Sequence, residues 1–189
     1  MNTKSSDPFA SRGFGDSASW LDLVNSELWD GYGNFSEMLD DPAWIRSFLR
    51  FWGMREPNIA APQKQLRALR AQIRQLVEKI GTGKRLRLED LPGINEWLKI
   101  PTIPQIEEGQ NGWELALRPM DSGWHVILAN IASSFARSLV EHEHKKLKIC
   151  GNADCRWVFL DGSKNSTRRW CSNATCGNRA RVRKARAGK

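Results

Sequence analysis

The four cysteines of this 189-residue chain lie in its last forty residues, with the spacing Cys150-x4-Cys155-x15-Cys171-x4-Cys176. Two thiolate pairs separated by a loop of this length are typical of structural zinc modules, in which four sulfurs complete a tetrahedron and leave no open position. Forty residues bury too little apolar surface to fold alone, so a bound metal would act as their core. We therefore predict one Zn²⁺ per chain; two disulfides, free thiols or an iron–sulfur cluster are the alternatives.

The net charge of +8 is concentrated at the C-terminal end of the chain. Residues 150–189 contain ten Lys and Arg against two Asp, which gives 10 − 2 = +8. Residues 1–149 then hold 29 − 10 = 19 basic and 21 − 2 = 19 acidic side chains. This asymmetry indicates a polyanionic partner, either nucleic acid or an anionic membrane surface, although a solvated tail has the same composition.

A basic helix is predicted after the last cysteine. On a helical wheel Arg179, Arg183 and Arg186 fall within about 60° of one another and form one stripe. Arginine suits a nucleic-acid contact because its planar fork pairs bidentately with phosphate or with guanine. A solvated tail, or contacts to phosphate alone, is the alternative. The candidate nucleic-acid-binding residues are Arg168, Arg169, Asn178, Arg179, Arg181, Arg183, Lys184 and Arg186.

The sequence indicates a cytoplasmic protein that does not associate with membranes. Residues 1–19 contain no apolar stretch of the length that a secretion signal requires, and no window reaches the ~18 apolar residues of a membrane span. In a reducing cytoplasm, clustered cysteines are more easily explained as metal ligands than as disulfides.

The elements that must position the cysteines fall into three predicted segments. Residues 1–16 show no apolar periodicity and are predicted to be disordered; residues 17–146 form a mainly helical α+β domain with a short β-hairpin; residues 147–189 form the four-cysteine module with its basic helix. Helices are predicted from Trp20 to Leu28, from the capping residue Asp41, from Pro62, over about 88–98, and from Asp121 or Ser122 to about His144.

Extended chain is predicted in two places. Alternating apolar residues give a hairpin of the strands Thr102–Glu107 and Trp113–Arg118. Inside the cysteine module, Trp157 to Phe159 form a short strand that turns at residues 161–165 and returns along Arg168 to Trp170. In the helix opened by Pro62, an apolar stripe leaves Arg70 and Arg74 on other faces.

Aromatic and histidine residues suggest two further roles, ligand binding and catalysis. Tryptophans at these spacings could line a pocket for a small-molecule ligand, but more often build an ordinary core. His125, His142 and His144 lie in or near one helix, yet no nucleophile–base pair and no glycine-rich phosphate loop is present, so we expect no enzyme. The tryptophans concerned are Trp20, Trp44, Trp52, Trp97, Trp113 and Trp124.

Residues Trp170 to Arg179, Trp-Cys-Ser-Asn-Ala-Thr-Cys-Gly-Asn-Arg, resemble the signature of the CGNR zinc-finger family. The preceding segment Phe159 to Arg169 is similar to that family as well, so the resemblance covers about 147–186. It implies a treble-clef-like zinc finger with Cys150, Cys155, Cys171 and Cys176 as its ligands. The chain departs from the family in lacking the proline commonly found before the aspartate of the first pair.

The upstream segment resembles the ABATE domain, which accompanies this finger in bacteria, through Leu21 to Ser26 and through Asp40-Asp41-Pro42. The resemblance implies a stress-induced transcriptional regulator. We therefore expect a nucleoid-associated DNA-binding protein whose basic helix contacts DNA and whose N-terminal domain senses a small-molecule ligand or oligomerises as a homodimer. An RNA- or ribosome-associated protein and a thiol-based redox switch are the alternatives.

Overall fold

The structure, a computed structural model, describes residues 18–109, 112–120, 122–141 and 146–187. The helices are α1 (Ser19–Val24), α2 (Pro42–Phe51), α3 (Gln63–Gly81), α4 (Pro92–Trp97), α5 (Trp124–Glu141) and α6 (Asn178–Ala187). The strands are β1 (Glu27–Trp29), β2 (Phe35–Glu37), β3 (Thr102–Gly109), β4 (Gly112–Pro119), β5 (Leu147–Ile149) and β6 (Val158–Leu160). The predicted mainly helical α+β class is confirmed, whereas the prediction of disorder for residues 1–16 lies outside the described residues.

The strands pair as three separate antiparallel hairpins, β1–β2, β3–β4 and β5–β6. The β3–β4 hairpin is the longest, and its register runs from Thr102 opposite Pro119 to Gly109 opposite Gly112. The predicted hairpin is confirmed and is slightly longer than expected at its turn.

Helix α1 is buried on every side. Trp20, Leu21, Leu23 and Val24 are at most 2% exposed, and the helix lies against α3 and α5. The predicted extension of this helix to Leu28 is wrong, because the chain leaves helical geometry at Asn25 and Leu28 belongs to β1. A six-residue helix of this kind owes its stability to tertiary packing, since isolated helices of this length do not form in water.

Helix α2 begins where the sequence predicts. The carboxylate of Asp41 accepts a hydrogen bond from the Ala43 N–H at 2.8 Å, and Pro42 occupies the first turn. Proline is suited to this position because its missing N–H would have had no partner there. Gly53 follows the helix with φ +62°, a left-handed conformation that a side chain would oppose.

Helix α3 carries the expected apolar stripe, and two arginines beside the stripe are buried as well. Arg70 and Arg74 are only 4% and 7% exposed. The β1–β2 hairpin folds over this face, and its Glu37 binds Arg70 at 2.6 and 2.8 Å while Glu27 lies 3.5 Å from Arg74. Burial raises the pKa of the Glu37 carboxyl, but its hydrogen bonds to Arg70 outweigh this and leave the pKa below its ordinary value.

Helix α5 crosses the core with its predicted apolar stripe inward. Trp124, Ile127, Leu128, Ile131 and Phe135 are buried, and the ring of Phe135 meets that of Trp20 edge to face at 5.1 Å. The predicted ends of this helix at residue 121 and at residues 142–145, including His142 and His144, lie outside the described residues. Among the helices described, none is long and apolar enough to cross a bilayer.

The hydrophobic core continues from the N-terminal unit into the cysteine module. Leu147 of β5 and Val158 of β6 are buried in the cluster that also contains Trp20 and Ile131. Strand β6 pairs with β5, Leu147 opposite Leu160, so the predicted pairing of this strand with Arg168 to Trp170 is wrong. Strand β5 is preferred because it lies on α3 and buries apolar side chains there, which the polar return segment cannot do.

A buried amide joins α1 to β6. The side chain of Asn25 donates to the carbonyl oxygen of Val158 at 2.9 Å and accepts from its N–H at 2.8 Å. Asn25 thereby takes the place of a neighbouring strand for one residue of β6. Because both backbone groups are buried, removal of the amide would leave a donor and an acceptor unsatisfied.

Candidate metal centre and basic helix

The four cysteine sulfurs converge on one point. All four Sγ atoms lie within 4.8 Å of one another, with Cys155 and Cys171 3.6 Å apart and Cys171 and Cys176 3.8 Å apart. At a zinc–sulfur distance of ~2.3 Å, tetrahedral geometry separates ligand sulfurs by about 3.8 Å. A disulfide bond would require about 2.0 Å, and an iron–sulfur cluster would hold its thiolates further apart around several metal and sulfide atoms. The thiols therefore fit a single tetrahedral zinc ion.

Proximity couples the ionisation of the thiols. The hydrogen bond with Cys155 lowers the pKa of the Cys150 thiol most, and the hydrogen bond with Cys171 lowers it further. The hydrogen bond with Cys150 in turn raises the pKa of Cys155, and those with Cys150 and Cys155 raise the pKa of Cys171. Four thiolates repel one another at this distance, so full ionisation needs a cation between them. Zinc, bound by all four sulfurs, would supply a structural cross-link with no open coordination position.

Backbone hydrogen bonds hold the first cysteine pair in a tight turn. The N–H of Cys150 donates to the carbonyl of Trp157 at 2.8 Å, and the N–H of Cys155 donates to the carbonyl of Asn152 at 2.9 Å. The backbone N–H of Asn152 also hydrogen-bonds to the Cys150 sulfur, which favours the thiolate. The loop thus directs both of its sulfurs toward the same point.

The ring of Trp170 packs against both cysteine loops and covers the sulfur cluster. Its ring lies so close to Gly151 and Gly177 that a Cβ atom built on either glycine would meet it at 3.1 Å. Each glycine follows a cysteine, because the sequence Cys-Gly-Asn occurs at 150–152 and again at 176–178. The absent side chains let the indole shield the sulfurs from solvent, which matters because solvent exclusion controls the stability of a thiolate site.

A buried ion pair organises the loop between the two cysteine pairs. Asp161 is fully buried, and its carboxylate lies 2.8 Å from Nζ of Lys148. It also accepts from the N–H groups of Ser163 and Arg168 at 2.9 Å each. Burial raises the pKa of the Asp161 carboxyl, but these hydrogen bonds outweigh it and hold the pKa well below its usual range.

The second cysteine pair leads directly into the basic helix. Ser172 caps a π-helical turn, Asn173–Gly177, by accepting from the N–H of Thr175 at 3.3 Å. Cys176 lies in that turn, and α6 continues from Asn178. The predicted cap at Ser172 is confirmed, and a metal bound by Cys176 would fix the first turn of α6 relative to the rest of the module.

Two arginines of the predicted stripe contact the protein itself. The guanidinium of Arg179 donates to the carbonyl of Asp30 at 2.9 Å. Arg183 donates to the Asn152 side chain at 3.2 Å and to the carboxylate of Asp154 at 2.5 Å. The face of α6 that carries both arginines is therefore turned toward the N-terminal unit and the first cysteine loop.

The other predicted basic residues divide by environment. Arg168 donates to the carbonyls of Trp170 and Cys171, so it holds the backbone ahead of the third cysteine. Arg169 is exposed, with its guanidinium carbon 5.5 Å from the centre of the Trp170 ring. Of the remaining predicted residues on α6, Asn178, Arg181, Lys184 and Arg186 are exposed, and Arg181 makes a long bond to the carbonyl of Asn173 at 3.4 Å.

Asn152 is the residue that sequence reasoning missed. Its side chain lies 3.8 Å from the Cys176 sulfur, donates to the carbonyl of Gly31 at 3.3 Å and accepts from Arg183. It therefore connects the metal ligands, the β1–β2 hairpin and the basic helix. The duplicated Cys-Gly-Asn sequence was the available signal, since it places Asn152 and Asn178 at equivalent positions after two ligands.

Two protein families match this chain in separate segments. Residues 146–189 match the CGNR zinc-finger family. Residues 17–142, two thirds of the chain, match the ABATE family, described as "Putative stress-induced transcription regulator". Neither description names an enzyme. A search of curated proteins gave no match. With four converging thiols in the second segment and a helical core in the first, the chain belongs to the ABATE family and carries a CGNR zinc finger at its C-terminal end.

Proposed function

We propose that the chain is a zinc-dependent DNA-binding transcriptional regulator that acts at the nucleoid in the cytoplasm, with one zinc ion per chain. The observation that carries the proposal is the attachment of α6 to the cysteine cluster through Cys176. Helix α6 contains four arginines and one lysine and no acidic residue, which is half of the basic side chains of residues 150–189. A rigidly held cationic helix can lie along a phosphate backbone or enter a groove.

The environment of each basic side chain suggests which of them contact DNA. Arg181 and Lys184 lie about 60° apart on α6 and point away from the face that holds Arg179 and Arg183. We therefore assign the first DNA contacts to Arg181, Lys184 and the exposed Arg169. Arg186 shares the helical face of Arg179 and Arg183 but is exposed at the end of α6, so it is a further contact. Arg183 can leave its ion pair with Asp154 to contact DNA, because this pair is largely exposed and contributes little stability.

Charge reversal on the exposed face tests the proposal. The variant with both Arg181→Glu and Lys184→Glu should weaken binding of the zinc-loaded chain to a DNA duplex at least tenfold. It should also lower the slope of log affinity against log salt by about 2, since each phosphate contact contributes ~0.9. The measurement is fluorescence anisotropy across a salt series, with zinc content determined by mass spectrometry on the same samples.

A matched control separates local contact from overall charge. Lys84 and Arg85 are an exposed lysine–arginine pair in the N-terminal unit, and reversing both changes the net charge equally. If this control weakens DNA binding as much as the α6 variant, or if the zinc-loaded wild type binds no DNA at low salt, the proposal fails. Competition with single-stranded and duplex RNA belongs to the same experiment, and tighter binding of RNA would favour the RNA-associated alternative.

The placement of the tryptophans bears on the role proposed for the N-terminal unit. Trp20, Trp44 and Trp124 are buried in the core, and Trp52 and Trp97 pack against it. Four of these indole N–H groups donate to protein acceptors: Ser138 for Trp20, Asp22 for Trp52, Gln72 for Trp97 and the carbonyl of Ile59 for Trp124. These five tryptophans therefore stabilise the fold, which favours oligomerisation over ligand sensing as the proposed role of this unit.

A further inference from the structure

Trp113, the remaining tryptophan of the predicted core set, is 81% exposed and lies on the β3–β4 hairpin. Directly opposite residues of an antiparallel pair point to the same face. Leu115 is opposite Ile106, and Leu117 is opposite Pro104, so these residues share the face of Trp113. We call Pro104, Ile106, Trp113, Leu115 and Leu117 the hairpin face.

The hairpin face is large and uncovered. Ile106 is 74% exposed, Leu115 70% and Leu117 66%, and Met120 at the base of the hairpin is 66% exposed. With the indole of Trp113, these side chains present on the order of 600 Å² of accessible surface, which is at the upper end for the largest apolar patch of a monomer. A specific interface takes about 800 Å² from each partner, so the face provides most of one side.

The hairpin also lacks the support that a two-stranded sheet needs. Among the described residues, β3 and β4 pair only with each other. An isolated hairpin is marginally stable in water, and three or more strands or a packed face are required for independent stability. A partner on the hairpin face would meet this requirement.

The charge of the hairpin selects the class of partner. Its described strands hold Glu107, Glu108 and Glu114 against Arg118, which gives 1 − 3 = −2. Arg118 is already paired with Glu107 on the opposite face, at 2.9 Å from Nε. Glu108 is opposite Trp113, at the turn end of the hairpin face. The net negative charge disfavours nucleic acid and anionic lipid as occupants, which leaves a protein surface. Because Glu107 and Glu114 lie on the opposite face and Glu108 at the turn end, the centre of the hairpin face is uncharged and can pack against a copy of itself.

We propose that the hairpin face binds the same face of a second copy of this chain. An apolar face packs against its own copy about a two-fold axis, because such an interface is self-complementary. Two hairpins packed face to face would form a four-stranded sandwich with the sheets about 10 Å apart. The face provides most of the area that one side of such a dimer needs, and the inference does not depend on DNA binding.

The test is the mass of the full zinc-loaded chain in solution, measured by light scattering over a wide concentration range. The wild type should have twice the 21.5 kDa of one chain. Leu115→Glu should raise the dimer dissociation constant by about 30-fold or more, since it buries a charge at the centre of the interface. Gln105→Glu adds the same charge on the opposite face, and Leu88→Glu replaces an equally exposed apolar residue outside the hairpin; both should leave the dimer intact.

Hydrogen exchange in β3 and β4 keeps the proposal falsifiable if Leu115→Glu unfolds the hairpin. Protection of these amides in the wild type should increase with protein concentration. A wild type that is a single chain at all concentrations overturns the proposal. So does a dimer that survives Leu115→Glu, or hairpin protection that is independent of concentration.

Discussion

The guanidinium of Arg179 stacks on the ring of Tyr32, with its central carbon 3.9 Å from the ring centroid. Arg179 belongs to α6 of the zinc module, whereas Tyr32 lies at the tip of the β1–β2 hairpin of the N-terminal unit. A cation–aromatic contact at an exposed site contributes about 0.5–1 kcal/mol. Together with the hydrogen bond from Arg179 to Asp30, this contact holds the basic helix against the β1–β2 hairpin, which is distant from it in the sequence.

Substitution of Gly31 should separate the two units at this contact. In Gly31→Ala the new Cβ would overlap Nη1 of Arg179, and φ of +82° is unfavourable for alanine. We expect a loss of about 2 kcal/mol of unfolding free energy, from backbone strain and from displacement of Arg179. Urea denaturation of the zinc-loaded chain measures this loss.

Gly33→Ala is the matched control, because φ is +97° and nothing lies within 4 Å of the added carbon. It carries the backbone strain without the clash, so it should destabilise less. In an Arg179→Ala background most of the difference between the two alanine variants should disappear, leaving only the closer contact of the new Cβ with the Asn152 amide at 3.3 Å. An undiminished difference would mean that Arg179 does not contact this hairpin in solution.

Release of Arg183 should strengthen DNA binding. In Asp154→Asn the helix loses its ion pair with the first cysteine loop and gains an unpaired cation. Because the pair is largely exposed, unfolding free energy should change by less than about 1 kcal/mol. DNA affinity should rise severalfold, with a salt slope steeper by up to ~1. Glu108→Gln removes one charge from the exposed β3–β4 hairpin and should change affinity less; equal effects would show that only net charge matters.

Asp161 should make the module sensitive to acid. Its pKa in the folded chain is lower than in the unfolded chain, so the carboxylate stabilises the fold above the unfolded pKa of about 4 and loses that contribution as pH falls further. Asp161→Asn should cost about 2 kcal/mol at neutral pH, since charged hydrogen bonds to Lys148, Ser163 and Arg168 are lost or weakened.

The difference between wild type and Asp161→Asn should shrink in urea denaturation as pH is lowered below about 4. Protonation of the cysteines would release zinc and unfold residues 161–187, which would remove the difference for a second reason, so zinc content is measured at each pH and only zinc-loaded samples are compared. Asp41→Asn is a suitable control, because Asp41 is an exposed helix cap outside the module. A difference that stays constant with pH would contradict the assignment of an ionised, buried Asp161.

Removal of zinc should unfold the module selectively. In Cys176→Ser, or with a strong chelator, residues 161–187 should lose structure, because the ion supplies folding energy of the order of 10 kcal/mol to such modules. The pair β5–β6 should persist, since Leu147 and Val158 are buried in the main core. Zinc content and hydrogen exchange by segment are the measurements.

Ser172→Ala is the contrasting variant for the zinc experiment. It removes the cap ahead of Cys176 and should cost about 1 kcal/mol while the zinc content stays the same. Loss of protection throughout α1, α3 and α5 on chelation would contradict the prediction that the main hydrophobic core is stable without zinc.

Local physics made much of this protein predictable from its sequence. The Asp41-Pro42 start, the apolar stripes of α3 and α5 and the β3–β4 hairpin depend on side chains close together along the chain. The cysteine cluster was predictable for a related reason, because paired thiols with short turns between them have few other uses in a reducing compartment.

Contacts between distant segments were decided only by the tertiary structure. Periodicity placed Arg70 and Arg74 off the apolar stripe of α3, but their burial required Glu37 and Glu27 from the β1–β2 hairpin. It also grouped Arg179 with Arg183 on one face of α6. That this face turns inward depends on Gly31 and on Asn152, which no local pattern connects.

The exposure of Trp113 is another feature that the sequence alone did not decide. Alternation along β4 predicted a strand with one apolar face, and such a face is ordinarily covered by the chain's own core. The sequence by itself determined the alternating pattern and the candidate cysteine ligands, since both depend on residues close together along the chain. Whether a face is covered, and by what, depends on the free energy of packing between distant segments, which only the folded chain expresses.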